Sequence, residues 1–360
     1  MAEGSDHRVL VAGDTLVDVM ADDGDSDGSD SPNGSNDSEG SDAPDGFTGI
    51  DGDGRTDGGS TLTPSMGLDG RFGGSGANVA VALARIGVAP LFWTRLAEDA
   101  FGDFLGGVLA DSDIPGDFLV RDPVAKTSLA IVTHDAGGEP TFEFYREGTA
   151  DTRMQPGTIP DDVLEDVSWV HLTGVTLSVE PSRTATLDLA ERANDRGCTV
   201  SLDPNARPEM WASDEEFGAV VRGALGHVDV LKATPGDLAV AGFDDAGPEA
   251  LAQAVCEHGP DTALLTLGDD GALVYGTERS PLAGVTRHPG YEADAVDTTG
   301  AGDGFLAGAI AAIVHGVADP KRVLALANAV GAVTTTRRGS VTALTGVGPV
   351  RELCGDVPWA

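Results

Sequence analysis

Short apolar runs alternate with longer amphipathic stretches along most of the chain. The first run is Val9–Ala12, and another, Ala263–Leu267, is followed by a tight turn and a second strand, Ala272–Tyr275. Further strands are predicted at Pro90–Leu96, Ser128–Thr133, Trp169–Leu172, Thr199–Leu202 and Val228–Leu231, and helices at Asp99–Asp111, Ser182–Arg196, Pro248–His258 and Pro320–Thr335. Strands that are separated by helices of about 10–15 residues are typical of βαβ units. The pattern therefore predicts an α/β protein with a parallel sheet.

Two aspartates follow the first predicted strand, in the sequence GDTLVD at residues 13–18. Glycine followed by an acid after a short apolar run places Asp14 and Asp18 at or beyond the carboxyl end of that strand. Ligands bind at this edge of open α/β sheets. The same residues are equally compatible with a turn and a helix cap, so both interpretations stay open at this point.

Residues 21–60 interrupt the pattern with a low-complexity sequence of Asp, Gly and Ser, in which Phe47 and Ile50 are nearly the only apolar side chains. Such a segment cannot bury enough apolar surface to offset the entropy of ordering it, so it is predicted to be a disordered insertion. We accordingly expect residues 1–20 to contribute the first strand of a single core, residues 61–345 to form the rest of that core, and residues 346–360 to be a tail.

The charge is strongly negative throughout, with a formal net charge of -37. Lysine occurs only at positions 126, 232 and 321. Such a charge repels nucleic acids and anionic membrane surfaces, so neither is an expected partner. At about 1 M salt the Debye length falls to roughly 3 Å and self-repulsion is screened, which indicates a protein of a high-salt cytosol.

The three cysteines, Cys198, Cys256 and Cys354, are widely spaced and show neither a metal-ligand spacing nor a disulfide framework. We expect neither a signal peptide nor a membrane segment, since residues 1–8 are polar and Val9–Ala12 has only strand length. The expected location is the cytoplasm.

A glycine-rich segment, DTTGAGDGF at residues 297–305, comes directly before an apolar run of helix length. The free backbone N–H groups and the dipole at a helix start favour an anion, and Gly300, Ala301 and Gly302 allow it to approach closely. A carboxylate beside an anion cradle is useful if Asp303 takes a proton from an attacking hydroxyl. The alternative is a simple glycine-rich turn in which the aspartate caps the helix.

A second glycine-rich loop, GGSGAN at residues 73–78, also leads into a predicted helix, which ends at Gly87. It is not a P-loop, because no Gly-Lys-Ser/Thr closes it, and it is not a dinucleotide fingerprint. Asn78 lies in the first turn of the helix, where its amide can cap that turn or contact a polar ligand.

Together these segments resemble the signatures of the ribokinase-like (PfkB-type) carbohydrate kinases. The late loop is very specific, the early loop precedes a helix as expected, and DPNAR at 203–207 and TLGDDG at 266–271 lie between them in the family's order. The resemblance covers roughly residues 7–20 and 62–345. It implies a doubly wound, mostly parallel sheet with helices on both faces and a small β lid. It also implies that ATP and Mg²⁺ are used to phosphorylate a sugar.

The resemblance also implies functions for individual residues. Asp303 would be the base that deprotonates the sugar hydroxyl, and the backbone of Gly300, Ala301 and Gly302 would form the anion hole. Residues predicted to bind the sugar are Asp18, Gly74, Ser75, Asn78 and Asp303, and those predicted to contact the nucleotide are Thr266, Gly268, Gly271 and Asn328. Asp297 and Thr299 match positions that hold a monovalent cation in several relatives, here K⁺.

Two departures from the family pattern are visible. The Asn-x-x-Glu motif that organises water around Mg²⁺ is replaced by Thr234 and Asp237, so the carboxylate is one methylene shorter and the amide is missing. The insertion at 21–60 falls where the family builds the first lid strands, so the lid is expected to be reduced or to carry a disordered tip. Many relatives dimerise through the lid, and this chain is expected to be a monomer or a homodimer.

The sequence FEFYR at 142–146, followed by Ala150-Asp151, is most similar to fructokinases and 2-keto-3-deoxygluconate kinases. Fructose is the expected substrate because the Ala150-Asp151 pair fits the fructokinase pattern. The main alternative is a sugar acid, whose carboxylate Arg146 and Arg207 would hold bidentately. Ribose, a nucleoside or a sugar-binding protein without catalysis are the remaining alternatives.

Overall fold

The protein, seen in a computed structural model that describes residues 9–21, 68–134, 140–244 and 246–360, is built on two sheets. In these ranges the strands are β1 (Val9–Ala12), β2 (Leu16–Ala21), β3 (Leu68–Gly73), β4 (Pro90–Ala97), β5 (Leu119–Asp122), β6 (Leu129–His134), β7 (Pro140–Tyr145), β8 (Trp169–Thr173), β9 (Thr199–Asp203), β10 (Val230–Ala233), β11 (Thr262–Thr266), β12 (Ala272–Gly276) and β13 (Gly284–His288).

The larger sheet has nine strands in the order β13-β12-β11-β10-β9-β8-β1-β4-β5. Pairing is parallel from β11 through β5, and β12 and β13 join one edge antiparallel. The smaller sheet has the order β3-β2-β6-β7. Its β2–β6 pair is parallel, and the β2–β3 and β6–β7 pairs are antiparallel.

Helices cover both faces of the larger sheet. Within the described residues they are α1 (Ser75–Arg85), α2 (Ala100–Asp111), α3 (Asp161–Asp166), α4 (Ser182–Asp195), α5 (Asp214–Ala224), α6 (Pro235–Val240), α7 (Pro248–Cys256), α8 (Ala301–Val314), α9 (Pro320–Thr334) and α10 (Gly348–Cys354). Helices α1, α2, α8, α9 and α10 pack on one face, whereas α3 to α7 pack on the other. In this part of the chain no helix is long and apolar enough to cross a membrane.

Two apolar cores result, one on each side of the sheet. The alternation along β1 shows why, since Val9 and Val11 enter one core and Leu10 and Ala12 enter the other. A strand that is buried on both faces is apolar throughout, which explains the uninterrupted sequence VLVA. Helix α8 is apolar on nearly all sides because it is almost entirely buried between α1 and α9.

The α/β architecture that the sequence predicts is confirmed, and most predicted elements begin or end within two residues of the observed ones. Polar residues fix several helix starts. Asp99 accepts a hydrogen bond from Gly102 N, and Ser213 caps α5 in the same way. Asp319 caps α9, whose first residue is Pro320.

Two segments differ from expectation. Residues 16–21 form strand β2, which was not predicted, so Asp18 lies beyond the end of β1 as expected but within a strand of the small sheet. The predicted C-terminal tail contains helix α10, and Val350 and Val357 are buried in the core, because apolar side chains in this segment cover α9. The lid keeps four strands. The predicted disordered insertion at 21–60 lies outside the described residues, except for Ala21, which ends β2.

The contact between α8 and α9 is expected to be intolerant of added volume. A Cβ at Gly308 would lie 2.9 Å from Ala327 Cα and 2.9 Å from Val330 Cγ2. We expect Gly308→Val to lower the free energy of unfolding by about 1–3 kcal/mol through overpacking, as measured by urea denaturation in molar KCl. The control is Gly107→Val on α2, where a Cβ would meet nothing within 4 Å. Equal stability of the two variants would contradict the close packing of α8 on α9.

Candidate active site

A cleft of about 360 Å³ lies between the small sheet and the carboxyl ends of the parallel strands. Both glycine-rich loops reach it, although 218 residues (79–296) lie between them in the sequence. The residues predicted for catalysis or sugar binding that line the cleft are Asp18, Gly74, Ser75, Asn78, Arg207, Gly300, Gly302 and Asp303. Ala301 and Arg146 are outside this wall. Most of the predicted site is therefore assembled in one place.

Helix α8 begins at the cleft with the geometry of an anion site. Gly300 is its N-cap and has φ 78°, and a Cβ there would lie 2.5 Å from the carbonyl oxygen of Ser340. Only glycine fits this close approach in a left-handed conformation. The first N–H groups of a helix lack intrahelical acceptors. Ala301 is an exception, because its N–H donates to the Thr298 carbonyl oxygen at 3.2 Å.

Asp303 lies in the first turn of α8 and is buried. Its two carboxylate oxygens accept hydrogen bonds from Ser75 Oγ and Asn78 Nδ2, each at 2.8 Å. Burial raises the pKa of Asp303 to about 6, against the opposing effects of the Lys232 ammonium and the Asn78 amide. The carboxylate is thus ionised at neutral pH and is more basic than an exposed aspartate, as a general base requires.

Asp18 faces the same cleft from strand β2. A Cβ at Gly73 would lie 2.3 Å from Asp18 Oδ2, so this part of the early loop requires glycine for space. Burial and the nearby Asp14 carboxylate raise the pKa of Asp18 to about 7, although Arg207 opposes the shift. Its oxygens are suited to hydrogen bonds from the hydroxyl groups of a ligand.

The Asp14 side chain lies against the start of helix α1. Its carboxylate accepts hydrogen bonds from Ser75 N at 3.1 Å, Gly76 N at 3.3 Å and Thr173 Oγ1 at 3.2 Å. The first N–H groups of α1 therefore bind the Asp14 carboxylate, and they are not available to bind a phosphate. The sequence alternatives for Asp14, a ligand contact or a cap, are resolved in favour of the cap.

Lys232 and Asp203 form a buried ion pair in the floor of the cleft, with 2.7 Å between Nζ and Oδ2. Asp203 ends β9, and Lys232 precedes the end of the neighbouring β10. Both residues line the cleft, and neither was among the predicted site residues. The available signal was that one of only three lysines in the chain lies within an apolar strand sequence, VLKA at residues 230–233.

The Asp237 carboxylate, which the sequence associates indirectly with Mg²⁺, accepts hydrogen bonds from the protein at both of its oxygens. One oxygen accepts from Ala206 N at 2.9 Å, and the other accepts from Thr234 N at 2.8 Å and Thr234 Oγ1 at 2.7 Å. Thr234 and Asp237 thus form a capping box at α6. No group of three acidic, His or Cys side chains converges as a metal site in the described ranges. These residues do not fit a direct Mg²⁺ ligand set.

The two arginines proposed to hold a carboxylate have different environments. Arg146 Nε lies 2.6 Å from Asp151 Oδ2, and Arg146 Nη1 donates to Ser178 Oγ at 2.7 Å. Its third nitrogen, Nη2, is buried without a hydrogen-bond partner among the described residues, and Arg146 does not line the cleft. Arg207 does line the cleft, and its guanidinium lies 5.5 Å from the centroid of the Phe142 ring in the lid. The bidentate clamp that the sequence suggested is not assembled.

A second, more open cavity of about 860 Å³ adjoins the cleft, and Thr234 lines both. Thr266 and Gly268, two of the predicted nucleotide residues, line this groove together with His288. Gly271 and Asn328 are near it, because each approaches Gly290 closely. The arrangement suits a ligand whose anionic end points toward α8.

Asp297 and Thr299 lie in the loop before α8. The Asp297 carboxylate accepts from Thr299 N and from Gly339 N, each at 2.9 Å. Burial favours a higher pKa for Asp297, but these hydrogen bonds outweigh it and the pKa is lowered. The carboxylate is therefore ionised, and it already faces one cation, because Arg71 Nη1 lies 3.9 Å from Oδ2.

The chain is similar in sequence to known proteins. Residues 50–345 match the pfkB family carbohydrate kinase. A fructokinase from Klebsiella pneumoniae is 35% identical over 279 residues, which cover 76% of this chain and 88% of that protein.

Solved structures are similar as well. A fructokinase from Xylella fastidiosa with bound ATP has a TM-score of 0.76 and 26% identity, covering 96% of this chain and 97% of that one. A fructokinase from Vibrio cholerae O395 in a fructose, ADP and calcium ion bound form has a TM-score of 0.74 and 29% identity, covering 98% and 100%. The fold is ribokinase-like, and the chain belongs to the pfkB family of carbohydrate kinases.

Proposed function

We propose that this kinase is an ATP-dependent fructokinase, which transfers the γ-phosphoryl group of ATP to a hydroxyl group of fructose. The observation that carries the proposal is the position of Asp303. Its buried carboxylate lies both on the wall of the cleft and in the first turn of the helix whose N-terminus would hold the phosphoryl group. A base and an anion hole at one point are the requirements of this transfer.

The reaction follows from the positions of the groups. The sugar hydroxyl binds beside Asp303 and gives its proton to the carboxylate as its oxygen attacks the γ-phosphorus. The bond to the β-phosphate oxygen breaks, and ADP leaves. N–H groups of Gly300 and Gly302 at the start of α8 stabilise the charge on the transferring group. Ser75 and Asn78 orient the base through their hydrogen bonds to it.

The substrate assignment to fructose rests on two supports. The similar proteins described above are named as fructokinases. Arg146 is engaged by Asp151 and Ser178, so a sugar acid would meet Arg207 alone and not a pair of guanidinium groups. Asp18 and Asn78 would accept and donate hydrogen bonds to the sugar hydroxyl groups. Arg207 still favours 2-keto-3-deoxygluconate as the second candidate substrate.

The nucleotide would lie in the groove at Thr266, Gly268 and Gly271, with Asn328 behind the adenine. Asp237 would act on a bound Mg²⁺ only through water, and the ion would supply positive charge to the phosphates. K⁺ would bind behind the anion hole at Asp297 and Thr299, where it would offset the carboxylate charge. We place the reaction in a high-salt cytosol, because a net charge of -37 requires screening.

A substrate panel tests the proposed function. Purified protein in molar KCl with ATP and Mg²⁺ is expected to release ADP with fructose at a kcat/KM at least tenfold above that with 2-keto-3-deoxygluconate, ribose or adenosine, since only one arginine reaches the cleft. The measurement is a coupled ADP assay. Preference for the sugar acid would overturn the substrate, and no turnover with any acceptor would overturn the kinase function.

Replacing the base should slow chemistry and spare binding. We expect Asp303→Asn to reduce kcat by about 10²–10⁴-fold, the usual effect of losing a general base, while the amide keeps the shape of the site. The matched control is Asp166→Asn, an exposed position at the end of α3. Near-native turnover of Asp303→Asn would show that another group accepts the proton.

The pH dependence of kcat/KM should reflect the two carboxyl groups whose pKa values are raised, Asp18 and Asp303. Ionised Asp18 and Asp303 are both required, and their pKa values are about 7 and about 6, so kcat/KM should fall as pH decreases through this range. Below about pH 6 the slope of log(kcat/KM) against pH should approach two, and Asp18→Asn should reduce this slope to one. A flat profile down to about pH 5, with the fold intact by circular dichroism, would contradict these assignments.

A further inference from the structure

Lys232 is the one lysine of the chain that is buried. Lys126 and Lys321 are exposed, whereas the Lys232 side chain is 7% exposed and its partner Asp203 is 1% exposed. Burying a charge is costly unless it is paired and hydrogen-bonded. The 2.7 Å contact with Asp203 meets that condition but uses only one of the three ammonium N–H donors.

The ammonium group points to the anion hole. A Cβ at Gly302 would lie 2.7 Å from Lys232 Nζ and 3.5 Å from Cε, so the cation lies directly against the backbone of this residue. Gly302 follows the first residue of α8, and its N–H points out of the helix start. The cation and the helix N-terminus therefore face the same small volume of the cleft.

The group stays charged in this environment. Burial acts to lower the pKa of Lys232, but the carboxylates of Asp203, Asp237 and Asp303 outweigh it, and the pKa is raised. With Asp303 ionised beside the hole, an incoming phosphate would otherwise meet mainly negative charge. Lys232 offsets that repulsion at the point where the phosphoryl group must bind.

Neighbouring side chains do not supply this positive charge at the start of α8. Asp237 is held in the α6 capping box, and Arg207 lies against Phe142 in the lid. Among the residues lining the cleft, Lys232 and Arg207 are the cationic side chains, and only Lys232 contacts α8.

We propose that Lys232 is a catalytic residue that binds the transferring phosphoryl group through its free ammonium N–H donors, and that Asp203 is the positioning residue that aims it. The inference rests on the proposed phosphoryl transfer and deepens it. In the transfer the negative charge lies on the oxygens of the γ-phosphoryl group and on the oxygen that leaves with ADP. A fixed cation at Gly302 stabilises that charge without forming or breaking a covalent bond.

Binding measurements test the inference without any sugar. Lys232→Met keeps the length of the side chain and removes its charge, and the control is Lys321→Met. By calorimetry in molar KCl, Lys232→Met should bind ADP like the wild type but bind β,γ-imido-ATP at least tenfold more weakly, because only the triphosphate reaches the hole. Its kcat should fall by about 10²–10³-fold with the sugar KM within about twofold. An unchanged ratio of ATP-analogue to ADP affinity would overturn the proposal.

Asp203→Asn tests the positioning function. The variant should lower the preference for the ATP analogue over ADP and lower kcat in the same direction as Lys232→Met but by less, since the ammonium remains but is no longer aimed. A purely structural ion pair would lower the melting temperature of Asp203→Asn and leave that preference unchanged, which would overturn the assignment.

Wild-type protein provides a test that does not depend on the folding of a variant. Because the chain has three lysines, ¹³C-lysine labelling should give three ε-carbon NMR signals. Addition of β,γ-imido-ATP should shift one signal, and ADP should leave it nearly unchanged. That signal is assigned to Lys232 by elimination, using Lys126→Met and Lys321→Met variants of the two exposed lysines. No shift would overturn the inference. If the protein binds the ATP analogue more tightly than ADP through Lys232 but turns over no sugar, only the proposed function is overturned. If it turns over a sugar but Lys232 does not affect this preference, only this inference is overturned.

Discussion

The buried Asp303 carboxylate is the point on which the site depends. Its hydrogen bonds from Ser75 and Asn78 join the first turns of two helices, α1 and α8, across sequence separations of 228 and 225 residues. Asn78 extends the network, because its Oδ1 accepts from Ser340 Oγ at 2.6 Å. These hydrogen bonds fix the direction of the proposed base and oppose the rise of its pKa, which comes from its burial.

A balance of charge governs the rest of the cleft. Asp14, Asp18, Asp203, Asp237 and Asp303 converge at the carboxyl ends of the parallel strands. Three of these carboxylates are used within the protein: Asp14 caps α1, Asp237 caps α6, and Asp203 binds Lys232. Asp18 and Asp303 are the two that the proposed function assigns to the ligand. A strongly acidic chain thus keeps an anion site because backbone N–H groups and one buried ammonium counter the carboxylates locally.

The lid and the two cavities divide the proposed reaction spatially. Phe142 and Phe144 bring the lid over the acceptor cleft, whereas the groove at Thr266 and Gly268 opens beside it. Thr234 belongs to both walls, and Lys232 lies two residues before it. The junction of the two cavities is therefore where the helix N-terminus, the base and the cation meet, as in-line transfer between two bound substrates requires.

The sequence by itself determined the α/β class, most element positions, the two glycine-rich loops and the location of Asp303 at a helix start. These features could be predicted because periodicity and helix-start chemistry are local properties. The tertiary structure decided the remaining assignments, which depend on contacts between distant segments. Asp18 entered the lid because β2 pairs with β3 and β6. Residues 346–360 became part of the core because α9 offers them an apolar face. Arg146 pairs with Asp151. Lys232 lies next to Gly302, which is 70 positions later in the sequence. Charged groups pair according to their distance in the folded protein and not according to their separation in the sequence. Only the folded chain could therefore reveal these partners.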